Sequence, residues 1–287
     1  MVGILGTSMG AILVRLAYGE GVPSLSIAAW RLVFASAILL PYAALHQRGQ
    51  MVRFEGREMV WVIVSGLFLG LHFATWIASL AYTSVASSVV LVSTGPVFVG
   101  LGSWVILREP PTPRQVAGMG LAAVGSVVIS WGDFGGGTAP LLGDLLALTG
   151  AVMVAGYLMI GRHLRARRSV VAYAAPVYGV AMLVLVAIAL LSGQPMAGFP
   201  PMAFLWLLAL GVVPQLIGHT SLNWALGHLS ATLVAMATLA EPVGASILAY
   251  LLLGETVGWT TGAGGAVVLA GIYLASRGEA RRRRAEE

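Results

Sequence analysis

The chain has 287 residues, 58% of them hydrophobic and only 9% charged, with a formal net charge of +5 and a mean hydropathy of +0.90. Soluble domains carry about 25% charged residues, so this composition excludes a soluble globular protein and fits an all-α polytopic membrane protein. Cys is absent, which excludes disulfide frameworks, thiolate nucleophiles and cysteine metal sites, and every one of the sixteen basic residues is Arg, a bias suggesting a GC-rich bacterial genome.

A hydrocarbon core of about 30 Å takes about 20 apolar residues per helix. Ten segments meet that need in chain order: 2–18, 24–45, 59–82, 85–107, 114–132, 141–162, 170–192, 202–226, 230–253 and 258–276. Gly and Pro within them are tolerable where neighbouring helices or cavity water satisfy the freed backbone groups. The first segment is the weakest, because Arg15 interrupts it. No basic residue precedes it, so no cleavable signal peptide is expected.

The fourth and ninth segments repeat one another. Ser93-Thr94-Gly95-Pro96-Val97 runs on to Leu107-Arg108-Glu109, and Leu239-Ala240-Glu241-Pro242-Val243 runs on to Leu253-Gly254-Glu255. Pro96 and Pro242 are 146 residues apart, as are Glu109 and Glu255. A duplicated membrane unit points to a transporter, with a first repeat over 1–133, a second over 134–276 and a basic tail over 277–287. With both termini placed in the cytoplasm of an inner-membrane protein, all arginines but Arg15 and Arg31 fall inside, a strong positive-inside pattern. Five helices per half is an odd number, so the second half enters from the opposite face and the repeat is inverted around a central cavity.

The halves resemble tandem EamA domains of the drug/metabolite transporter superfamily. The resemblance rests on the Ala81-Tyr82-Thr83-Ser84-Val85-Ala86 turn, the mid-span prolines, the Leu251-to-Glu255 ending and Gly143-Asp144-Leu145-Leu146-Ala147-Leu148, and it covers about residues 3 to 276. It implies ten helices around a central cavity and movement of solutes, often export of amino acids or other small metabolites, without ATP hydrolysis. The sequence departs from the pattern at Leu107-Arg108-Glu109, which lacks the glycine of its second-half counterpart and is followed by two prolines.

Ionisable groups at membrane depth cost about 2.5 kcal/mol or more and seldom face lipid, so they mark candidate sites. Arg31 is read either as a fork for a substrate carboxylate or, like Arg15, as a snorkelling or Glu20-paired structural residue. Glu241 lies beside Pro242, whose missing N–H frees a carbonyl; together they suit an ammonium group or a proton, with a protonated Glu hydrogen-bonded between helices as the plain alternative. Glu109 and Glu255 close helices and read as hairpin architecture. His72 and Trp76 share one helical face, as do His219 and Asn223 with Trp224 following, and the two sets are equivalent across the repeat. They are expected to form opposite walls of one cavity, with interhelical bonding and packing as the plain alternative. Trp104 and Trp131 suit an aromatic belt. The glycines of the fifth segment (Gly118, Gly120, Gly125) and the tenth (Gly262, Gly264, Gly265) allow close crossing, either between the halves or in a homodimer.

No GxxxxGK[ST] or HExxH spacing occurs, so neither ATP-driven transport nor an enzyme is expected, and no cofactor or metal is implied. The Arg281–Arg284 run reads as an anchor at anionic lipid, not a nucleic-acid site. The leading expectation is a secondary exporter or facilitator of small zwitterionic metabolites such as amino acids. The alternatives are proton-coupled efflux of cationic amphiphiles through Glu241 and a nontransporting membrane scaffold.

Overall fold

A computed structural model describes residues 1–51, 54–129, 138–254 and 258–286. The first half comprises α1 (Val2–Gly19), α2 (Ser24–His46), the short α3 (Arg48–Met51), α4 (Gly56–Ser79), α5 (Val85–Val92), α6 (Gly95–Gly102) and α7 (Pro113–Ile129). The second comprises α8 (Pro140–Arg165), α9 (Val170–Leu191), α10 (Pro201–Leu210), α11 (Thr220–Leu226), α12 (Ala231–Thr238), α13 (Glu241–Leu253) and α14 (Trp259–Glu286). Among the described residues there is no strand, and nine helical runs are long and apolar enough to cross a membrane. The expected fifth segment is represented by α7, a shorter apolar helix of 17 residues. The protein is a polytopic helical membrane protein.

The halves interlock. α2 packs on α9, α4 on α8 and α9, α1 on α10 and α13, and α7 on α14, so each major contact joins a first-half helix to a second-half helix. The α7–α14 seam depends on glycine: a Cβ on Gly118 would meet the Gly271 carbonyl oxygen at 2.5 Å, and one on Gly125 would meet that of Gly264 at 2.7 Å. These glycines therefore join the two halves within the chain, whereas Gly120 and Gly262 face open space. Tyr157, Tyr173, Tyr178 and Phe73 are the largest side chains packed wholly inside.

Three local features differ from uniform spans. Segment 85–107 breaks after Val92, where Ser93 and Thr94 form a turn and α6 starts with Pro96 in its first turn. Segment 230–253 breaks in the same way after Thr238, and α13 starts with Glu241 and Pro242. Proline lacks the N–H an interior turn requires but is well placed in a first turn, so each proline starts a new helix instead of bending an old one. Second, Ser103–Leu107 and Gly211–His219 widen into π-helical turns. Third, Arg108 holds a left-handed backbone, with φ 56°, at the helix end where its counterpart Gly254 has φ 68°. The glycine missing from the first-half ending is thus replaced by an arginine in the same conformation, at a cost of about 1 kcal/mol.

Residues 277–286 of the basic tail expected over 277–287 are helical and continue α14. They are fastened there by Glu279, whose carboxylate accepts from the Ser230 backbone N–H (3.2 Å) and hydroxyl (2.8 Å) and from Gln115 Nε2 (3.1 Å). Glu109 pairs with Arg162 of α8 at 3.2 Å, so it bridges the halves instead of closing only its own hairpin. Arg168 pairs with Glu58 nearby. Glu255 and Trp131 lie outside the described residues, as does the expected repeat boundary at 133/134.

Candidate functional site

A cavity of about 280 Å³ lies between the two halves. Thr7 and Ser8 of α1, Arg31 of α2, His72, Phe73 and Trp76 of α4, Tyr157 of α8 and the two broken helices, through Ser93 and Glu241, all contribute to its wall. The remaining wall is largely aliphatic. Breaking a helix at membrane depth is tolerable where the loosened backbone lines such a cavity.

Arg31 is 3% exposed. Its Nε donates to Gln215 Oε1 at 2.8 Å, and its guanidinium carbon lies 4.2 Å from the centroid of the Phe73 ring. The terminal nitrogens have no hydrogen-bond partner among the described residues. The structural reading of this arginine as a partner of Glu20 is therefore incorrect: α2 turns it inward, onto α4 and the π-helical turns. Arg15 is exposed on α1 and is not part of the cavity wall.

Glu241 is half-buried at the first position of α13, a place where a carboxylate benefits from the helix dipole. Thr7 is beside it, and Arg31 is the cation that acts on it through space. No ion pair joins Arg31 to Glu241 among the described residues. The cavity is therefore lined by both Arg31 and Glu241, reaching it from different helices.

The two expected histidines do meet at this cavity. His72 donates through Nδ1 to the Gly150 carbonyl oxygen at 2.9 Å, which leaves Nε2 of the neutral ring as an acceptor, and it stacks on Trp76 with centroids 6.0 Å apart and planes 6° apart. His219 packs edge-on to Phe73 at 5.3 Å. Two buried atoms of the wall, Trp76 Nε1 and His219 Nδ1, have no hydrogen-bond partner among the described residues. Pro242 lines the cavity; Pro96 is buried in its own break.

Asn223 and Trp224 depart from the expected arrangement. Asn223 is fully buried behind the wall, where its Oδ1 accepts from the Tyr157 hydroxyl at 2.7 Å and its Nδ2 donates to the Tyr178 hydroxyl at 3.3 Å. Trp224 is 56% exposed and packs on His228, facing away from the cavity. The turn from His219 brings Leu222, three residues on, to the wall, so Asn223 and Trp224 fall to either side. Gln215, Tyr157 and Thr7 were not singled out by sequence reasoning. The signal for Gln215 was present: an amide directly after Pro214 in an otherwise apolar span.

The repeated, broken architecture is shared with known proteins. The EamA-like transporter family matches this chain twice, over residues 1–131 and 141–277. The chain belongs to that family. This EamA transporter is 28% identical over 258 residues to an uncharacterized transporter of Archaeoglobus fulgidus, a match covering 87% of this chain and 86% of the relative. It is 29% identical over 246 residues to a pseudopaline exporter of Pseudomonas aeruginosa, covering 85% and 84%. It is 33% identical over 198 residues, covering 68% and 65%, to a Streptantibioticus cattleyicolor protein named "Probable terminal-alkyne amino-acid exporter". A solved crystal structure shares the fold at a TM-score of 0.80 and 22% identity, over 100% of this chain and 96% of the other.

Proposed function

We propose that this EamA transporter is a secondary exporter or facilitator of small zwitterionic metabolites, amino acids foremost, across the bacterial cytoplasmic membrane. The observation that carries this reading is that Arg31 and Glu241 reach one small cavity from different helices without pairing. A free amino acid supplies the two missing partners, a carboxylate for the guanidinium and an ammonium for the Glu241 carboxylate. The exporters named among its relatives support solute export, one of them carrying an amino-acid substrate in its name. In this reading ten helices form two inverted five-helix repeats with both termini in the cytoplasm, and the halves rock around the cavity without ATP hydrolysis.

The largely aliphatic wall favours a second reading, in which Glu241 exchanges a proton for a cationic amphiphile and the arginine is structural. Uptake of a panel of radiolabelled amino acids into proteoliposomes, with and without an imposed pH gradient, separates the two. Saturable, competable amino-acid flux is the expected result. No amino-acid flux, with gradient-dependent flux of cationic amphiphiles, would replace the first reading with the second.

A further inference from the structure

A cation meant for a substrate carboxylate must be held in place without being neutralised. Arg31 is held by two contacts that carry no charge. Phe73 supports one face of the guanidinium at 4.2 Å, and Gln215 accepts from Nε at 2.8 Å. A glutamate at 215 would give the same oxygen to the same N–H but would also bring a negative charge, and a buried Arg–carboxylate pair competes directly with any carboxylate ligand. The amide fixes the fork through Nε and leaves both terminal nitrogens to the cavity.

Gln215 is itself fully buried and does not line the cavity. Its place is fixed by the π-helical turns around Pro214, and its own carbonyl oxygen accepts from Thr220, which also bonds the Tyr178 hydroxyl at 3.2 Å. A buried polar residue with this geometry needs a reason, because an apolar side chain would pack there with no buried polar atoms to satisfy. Trp76, also in the cavity wall, is one turn along α4 from Phe73 and carries an indole N–H with no partner among the described residues. That N–H is a donor only, suited to an anion and useless to a cation.

We infer that Gln215 is a positioning residue that keeps Arg31 charged and aimed for a substrate carboxylate, and that the Trp76 indole is the second donor to that carboxylate. This rests on the zwitterion reading above and assigns how its anionic pole is read. It makes the carboxylate the discriminating group of the substrate, with selectivity for acids over amides set in part by Gln215, a residue that does not line the cavity.

The test uses the full-length protein in proteoliposomes and the amino acid of the panel that the wild type transports fastest, with its carboxamide as the probe lacking a carboxylate. Gln215→Glu is expected to raise the half-saturation concentration for the acid about tenfold while changing that for the carboxamide less than about twofold, with maximal rates preserved. Gln215→Met keeps the volume and the charge on Arg31 but removes the acceptor, and is expected to shift the acid about threefold and the amide not at all. Trp76→Phe should behave like Gln215→Met, since it removes one donor and keeps the ring. Equal shifts for acid and amide in Gln215→Met and Trp76→Phe would overturn the inference and leave the zwitterion reading intact. Failure of the wild type to transport any amino acid would remove that reading and the inference with it. If Gln215→Glu does not assemble, the other two variants decide the matter.

Discussion

The two broken helices are the same device built twice, and they differ at one decisive residue. In the first half the break runs Ser93-Thr94-Gly95-Pro96, and in the second Leu239-Ala240-Glu241-Pro242. Both put proline in the first turn of a new helix, and both contribute to the cavity wall. Only the second carries a carboxylate; Gly95 stands where Glu241 would be, facing Val154. Arg31 is also without a counterpart, since the position 146 residues on is Val177. The two copies share the scaffold, and each adds one ionisable residue without a counterpart in the other, Arg31 in the first and Glu241 in the second. A symmetric pocket would hold an apolar or symmetric solute; in the proposed reading this one has a cationic and an anionic end.

The largest effect is expected from removing the cationic end. Arg31→Ala should raise the half-saturation concentration for amino acids about a hundredfold or more and leave carboxamides partly transported, as measured by competition against labelled substrate. Equal loss of both would make Arg31 structural. At the other end, Glu241→Gln should weaken amino acids and amides about tenfold but leave N-acetyl amino acids unaffected. If flux instead proves to be driven by a pH gradient, the same variant should retain downhill flux and lose the gradient response.

A smaller effect is expected behind the wall. Tyr157→Phe strands the Asn223 Oδ1 acceptor and should cost about 1–3 kcal/mol, read as lower thermal stability of the purified protein with the acid-to-amide preference unchanged. The smallest sharpens the comparison of the halves at their helix ends. Arg108→Gly gives the first half the residue its counterpart Gly254 already has, and should stabilise the protein by about 1 kcal/mol with unaltered transport. A loss of stability would mean that the Arg108 side chain makes contacts worth more than the strain it imposes.

The architecture was legible because a bilayer imposes it. Long apolar runs follow from solvation, and segment positions such as 24–45 and 170–192 lie within a residue or two of the helices Ser24–His46 and Val170–Leu191. The cavity was legible where a costly group advertised itself: Arg31, Glu241 and the two histidines. It was not legible where side-chain direction depended on local winding. Nothing in the spacing of His219, Asn223 and Trp224 reports that a nine-residue π-helical stretch ends at His219 and sets which of them faces inward. Nor did the mid-span prolines reveal that the helices would break outright. Gln215 escaped notice because it acts through Arg31, across 184 residues of sequence.

The central claim is that one cavity reads both ends of a zwitterion. The most direct measurement is binding to the purified wild-type protein, by competition of an amino acid, its N-acetyl derivative and its carboxamide against the labelled amino acid. The predicted result is that the intact amino acid competes best and each capped form is weaker by about tenfold or more, because each leaves one buried charge unanswered. A carboxamide that competes as well as the amino acid would contradict the claim and leave the cavity to Glu241 and a cation.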